Sequence, residues 1–191
     1  MPDSSRRDFL RFVLIALAVM AGVFVSTARA EGIALSRLEI SQKGDFFQLS
    51  GHFDTELSSV IETALQRGVQ LTFVQSVEGK RARDFWLPEI MVEQSRSIRL
   101  SYNALFRQYY VSLAGNSQGF ELLDEALRNV GDLRDWAIIN VKQMKKKSQY
   151  SISVRMYLDI AQLPKPLQVN ALASSARWQL DSGWQEHTVK Y

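Results

Sequence analysis

Reaction chemistry needs nucleophiles, imidazoles, paired carboxyls or metal ligands, and this sequence offers few. It has two histidines, His52 and His187, and no cysteine. Without cysteine there is no disulfide, no thiolate nucleophile and no Cys-based zinc site. A zinc site on His52 would need ligands such as Asp54, and a hydrolase would need His52 to work with nearby acids. Ser50-Gly51-His52 does not match the G-x-S-x-G elbow that exposes a nucleophilic serine. His52 therefore reads as a strand or surface histidine, with the hydrolase as the alternative. Carboxyls cluster at Asp54/Glu56, Glu121/Asp124/Glu125 and Asp132/Asp135. Acid–base work needs two carboxyls in one cleft with separated pKa values. Acids beside a helix start have a simpler role at its positive end. The glycines are scattered and form no phosphate-cradling loop. The expectation is a protein that is not an enzyme and takes no cofactor or metal.

Charged and aromatic side chains offer a surface instead. Arg96, Arg99, Arg107, Lys142, Lys145, Lys146, Lys147 and Arg155 fall in one stretch, several on the polar positions of alternating segments. If those segments are neighbouring strands, they form a basic patch on one sheet, suited to an acidic partner or anionic lipid heads. The other reading is a solvated face, with Lys145–Lys147 protecting an edge hairpin from aggregation. Phe85-Trp86-Leu87-Pro88 suggests a strand end with one aromatic exposed, and exposed aromatics anchor interfaces. The candidate interaction surface is Arg99, Arg107, Lys145, Lys146, Lys147, Arg155 and Trp86.

The charge balance bears on partners. The sequence pI is about 9.2 and the net charge +3. Of 23 basic residues, Arg6, Arg7, Arg11 and Arg29 lie in residues 1–30; of 20 acidic ones, so do Asp3 and Asp8, leaving 19 against 18. A near-neutral remainder lacks the excess that drives phosphate-backbone binding, so nucleic acid is not an expected partner. Residues 1–30 read as an export signal: a basic start with Arg6 and Arg7, an apolar run from Phe12 to Val25, and Ala28 and Ala30 at A-x-A spacing. The run is short for a spanning helix. Arg6, Arg7, Phe9 and Leu10 also fit a twin-arginine signal, though arginine pairs occur in general-secretory signals as well. Cleavage after Ala30 gives a periplasmic domain; an uncleaved signal leaves the same domain anchored there.

The remaining residues, 31–191, are expected to form one domain. Tyr150, Ile152, Val154, Met156, Leu158 and Ile160 alternate with polar residues, the period of a strand with one buried face. The segments 98–104, 109–113, 69–73 and 137–141 repeat the pattern, and Trp178 to Trp184 reads as a last strand. Ile33–Ile40 and Phe46–Phe53 predict a hairpin turned at Lys43-Gly44-Asp45, and Lys145–Ser148 the tip of another. Leu57, Val60, Ile61, Ala64 and Leu65 have helical spacing, with Asp54 or Thr55 as cap and Gly68 as stop. Phe120, Leu123, Leu127 and Val130 have it too, with a stop near Gly131. The two helices read as copies of one unit, each plugging one end of a sandwich; the alternative is two unrelated connectors. Leu163-Pro-Lys-Pro-Leu-Gln168 predicts a rigid extended link. The fold class is mainly β, a two-layer antiparallel β-sandwich with two short amphipathic helices, preceded by a signal helix.

Three blocks point to a family. Arg99-Leu-Ser-Tyr-Asn-Ala-Leu-Phe-Arg-Gln-Tyr-Tyr-Val111, then Val154-Arg-Met-Tyr-Leu-Asp159 with Leu163–Gln168, then Trp178-Gln-Leu-Asp-Ser-Gly-Trp184, in this order, resemble the domain-of-unknown-function family 4390. The resemblance spans nearly all of residues 31–191. It implies a proteobacterial envelope protein with no assigned activity, often encoded beside a membrane histidine kinase of the nitrogen-regulation type. It supplies no catalytic residues. Members mostly look like general-secretory substrates, and the twin-arginine match departs from that. The functional expectation is a non-enzymatic periplasmic interaction module for an envelope or membrane protein, such as a histidine kinase's periplasmic domain. The alternative is a carrier of a lipid or other apolar ligand between the sheets.

Overall fold

The computed structural model describes residues 32–83, 86–146, 148–173 and 175–190. They belong to one compact unit, Glu31–Tyr191. Arg6, Arg7, Phe9, Leu10, Ala28 and Ala30, the residues expected to form an export signal, lie outside the described residues, as does Lys147. No helix among the described residues is long and apolar enough to cross a membrane.

The fold is mainly β, in two antiparallel sheets. The smaller has β1 (Gly32–Lys43), β2 (Phe46–Glu56) and β7 (Asp132–Asn140) in that order. The larger runs β6 (Asn116–Phe120), β5 (Gln108–Leu113), β4 (Glu89–Asn103), β3 (Leu71–Arg81), β8 (Gln149–Leu158), β9 (Gln185–Lys190). The expected first hairpin is present, with Lys43 opposite Phe46 and Gly44 at φ 58°. Period-two alternation appears in the burial of β8, where Tyr150, Ile152, Val154, Met156 and Leu158 are all buried. β6 is a strand that alternation missed, because its inward positions carry Asn116 and Gln118 and supply no apolar period. It is joined to β5 by Ala114 and Gly115, both at positive φ, in the two-residue hairpin turn that matches strand twist.

The inner faces interlock around Leu49, Phe53, Phe73, Val77, Leu100 and Met156, all buried. Gly79 lets the sheets approach: a Cβ there would lie 2.6 Å from Val92 Cγ1 and 3.3 Å from Ile139 Cδ1 of the facing sheet. Polar groups also cross the gap. Gln75 is fully buried on β3 and donates to the Val130 carbonyl at 2.9 Å. Arg96 donates to Gln75 Oε1 at 2.8 Å and to the Asp132 carbonyl at 3.1 Å, and lies 4.5 Å over the Trp136 ring. Trp136 Nε1 donates to Gln94 Oε1 at 3.0 Å. Burial lowers the Arg96 pKa from its ordinary value. Buried charge is tolerable only when its donors are satisfied, and here the Asp132 carbonyl and Gln75 accept from it.

The connections correct several expectations. The first helix, α1 (Ser59–Gln66), is capped by Ser58, whose Oγ accepts from Ile61 N at 3.4 Å. Asp54 and Thr55 belong to β2 instead. α2 (Leu123–Gly131) has the expected span, and its last residue must be glycine for a steric reason: a Cβ would overlap the Phe53 carbonyl oxygen. The helices do not plug opposite ends. Glu62 and Gln66 of α1 act on Tyr109, and α2 leaves from Phe120, the strand partner of Tyr109. Each is a crossover between sheets, α1 from β2 to β3 and α2 from β6 to β7. Lys145–Ser148 is no hairpin tip, because β7 and β8 belong to different sheets. Leu163–Gln168 is not an extended link: the Pro164 carbonyl accepts from Leu167 N and Gln168 N at the start of α3 (Lys165–Ala173). Proline is tolerated there because the first helical turn has no intrahelical use for its missing N–H.

The strand expected at Trp178–Trp184 is only partly right. Trp178 closes α4 (Ser175–Trp178), and regular pairing starts at Gln185. Between them the chain does run beside β8: Leu158 N donates to the Leu180 carbonyl and Ser182 N to the Met156 carbonyl. Gly183, at φ 64°, then breaks the ladder.

Candidate interaction surfaces

The expected basic sheet face does not assemble as one patch. β4, β3 and β8 are neighbours, but only Arg99 and Arg155 of the set share the outward face. They are offset by four residues along the strands, about 13 Å at ordinary strand rise. Arg96 points inward, as described. Arg107 sits in the β4–β5 turn at one end of the large sheet; Lys145, Lys146 and Trp86 sit at the other. Arg155 is tied down: its Nε donates to Asp181 Oδ1 at 2.9 Å, a second nitrogen pairs with Oδ2, and the guanidinium lies 4.9 Å from the Tyr157 ring centre. The Arg155 hydrogen bond holds the Asp181 carboxyl below the usual carboxylate range and raises Arg155 in return.

Two hairpin ends stand out instead. One is the β4–β5 turn, where Leu105 is 85 % exposed and Phe106 64 %. Asn103 Oδ1 accepts from Leu105 N at 3.0 Å and Phe106 N at 3.2 Å, so an Asx turn fixes the backbone that presents them. Arg107, at φ 52°, completes the turn. Tyr102 and Tyr109 brace its base with ring centroids 4.8 Å apart. Leu122, two residues past the Phe120–Tyr109 pair, is also exposed at this end. Sequence reasoning missed Leu105 and Phe106 as surface groups. The signal was there, in apolar residues placed where a short turn between alternating strands calls for polar ones.

The second is the β3–β4 connection, where Trp86 is 74 % and Leu87 78 % exposed, with Ile90 exposed just beyond. The aromatic expected to stay exposed at a strand end is Trp86; Phe85 lies outside the described residues. Arg81, paired across the hairpin with Glu89, and Arg83 both bind the Glu89 carboxyl, Arg83 Nη2 at 2.7 Å. The Arg83 hydrogen bond holds that carboxyl below its ordinary value.

His52 faces an open groove of about 570 Å³, lined also by Gln118, Phe120, Glu125, Arg128, Asn129, Asp132 and Arg134. Its Nε2 is 3.5 Å from Asp54 Oδ1, too long for a firm hydrogen bond. Arg134 is paired to Asp132. Among the described residues no group of three or more His, Cys, Asp or Glu side chains is placed to hold a metal ion.

Sheet order and hairpin ends together define a class, an antiparallel two-sheet sandwich with crossover helices at one end. Residues 30–188 match the family described as Domain of unknown function (DUF4390). The chain belongs to that family. No curated protein and no solved structure matches it.

Proposed function

We propose that the chain is a non-enzymatic interaction module of the periplasm that docks on an envelope or membrane protein, through the Leu105-Phe106-Arg107 turn. The observation that carries this reading is the exposure of two large apolar side chains on a turn whose backbone is fixed by Asn103. Free apolar groups cost little to bury when their backbone is already ordered, because association then loses less conformational freedom. Phenylalanine and arginine are enriched in protein interfaces. A membrane sensor kinase is the partner class that the family resemblance suggests. The large side chains filling the space between the sheets favour docking over carriage of an apolar ligand there.

The test is site-specific crosslinking in the native envelope. A photo-reactive residue at position 106 is expected to trap one discrete protein, and Leu105→Ser with Arg107→Gln to abolish the product. A probe at exposed Ser95, on the outward face, is the control. Equal labelling from positions 106 and 95 would remove the turn as the docking site.

A further inference from the structure

The opposite end of the molecule has a different chemistry. Trp86 and Leu87 project from the β3–β4 connection with Ile90 beside them at the start of β4, and a collar of cations sits at its base. Ala82 N donates to the Gln149 carbonyl at 3.0 Å, which holds the start of β8 against the hairpin. Lys145 N donates to the Tyr150 hydroxyl at 2.7 Å, which fixes the end of the β7–β8 crossover at the same place. Lys145 and Lys146 are exposed, and Lys145 lies near enough to help lower the Glu89 pKa. In sequence, the acids Asp84 and Glu89 are matched by Arg81 and Arg83, so the lysines supply the excess positive charge.

We infer that this end is an interfacial anchor for an anionic lipid surface, with Trp86, Leu87 and Ile90 entering the headgroup region and Lys145 and Lys146 meeting the lipid phosphates. Tryptophan favours the membrane–water boundary because its ring is apolar and its N–H polar. Lysines near the surface of an anionic bilayer add attraction, while apolar side chains add burial. The lysine collar decides between lipid and protein as the occupant, since lysine is depleted in protein interfaces. Glu89 does not oppose the approach, because two arginines neutralise it. This site is separate from the Leu105 turn and does not depend on it.

The unit Glu31–Tyr191, which contains the described core, is tested by co-flotation with phosphatidylethanolamine–phosphatidylglycerol vesicles and with phosphatidylcholine vesicles. Binding is expected to the anionic vesicles alone and to weaken in high salt. Trp86→Ser with Leu87→Ser should reduce it at least about tenfold. Lys145→Gln with Lys146→Gln should also cost about tenfold or more. Leu105→Ser with Phe106→Ser should leave it unchanged, and unaltered thermal unfolding of all three variants excludes misfolding as the cause. Equal binding to neutral vesicles, no binding to either kind, or undiminished binding by the Trp86/Leu87 variant would overturn the inference. So would a crosslink from position 86 to a protein without vesicle binding.

Discussion

Gly131 has room for a hydrogen atom and little else, because the carbonyl oxygen of Phe53 occupies the place a methyl would take. An alanine at a helix position ordinarily gains about 1 kcal/mol over glycine. Forcing α2 away from β2 costs about 3 kcal/mol, as overpacking of a filled site does, so the steric effect wins. Gly131→Ala is expected to lower stability by about 2 kcal/mol in urea unfolding; a neutral or stabilising result would mean that α2 and β2 can separate freely. A second residue-scale expectation concerns acid. The Asp181 carboxyl is held below its ordinary value, chiefly by the Arg155 hydrogen bond. A depressed pKa adds stability that is full above the unfolded value, near pH 4, and is lost as pH falls through the lower folded value. Thermal unfolding followed from pH 5 downward should therefore show an acid limb that is shallower in Asp181→Asn. Neither arrangement was legible in the sequence, since nothing local marks which backbone α2 meets or which arginine finds Asp181.

Among the elements, α1 depends on one serine with two duties. Ser58 Oγ accepts from Ile61 N and donates to the Arg177 carbonyl at 2.8 Å, linking the start of α1 to α4. Ser58→Ala is expected to cost about 2 kcal/mol, the upper end for a cap, because a partly buried carbonyl also loses its donor. Equilibrium unfolding measures it, and a loss below about half a kcal/mol would show that water replaces both bonds. Strands with one buried face were readable from β8, β5 and the first hairpin, where packing and alternation agree. Elements whose inward positions are polar were not. β6 turns Gln118 inward, and β4 turns Gln94 and Arg96 inward to meet β7. A period-two apolar pattern cannot report a strand face that binds by hydrogen bonds. The Trp178–Trp184 segment shows the converse: apolar alternation was present, but a helix end and Gly183 divide it.

Across the whole molecule, β4 runs for 15 residues from the Trp86 end to the Leu105 turn, about 50 Å at ordinary strand rise. A module held to lipid at one end would present its protein-binding turn well clear of the bilayer. The two sites should therefore behave independently. Combining the Trp86/Leu87 and Leu105/Phe106 substitutions is expected to give additive losses, read by vesicle flotation and by crosslinking from position 107, as holds for distant sites without shared partners. Loss of crosslinking on weakening the Trp86 end alone would show that membrane residence is needed first. The basic patch inferred from composition failed at this scale. Nearness in sequence placed Arg96, Arg107 and Lys145 together, whereas the fold sends one inward and the others to opposite ends.

β2 and β3 follow one another in the chain, yet each lies in a different sheet and waits for a late partner, β7 for one and β8 for the other. The smaller sheet cannot close until synthesis has passed Asn140, and the larger lacks its last strand until Lys190 is made. Closing such long loops is slow, because ordering entropy is lost before the distant contacts form. The nascent chain thus stays open, with bare strand edges, while most of it is being made. That interval is the one in which a holdase would shield those edges from one another.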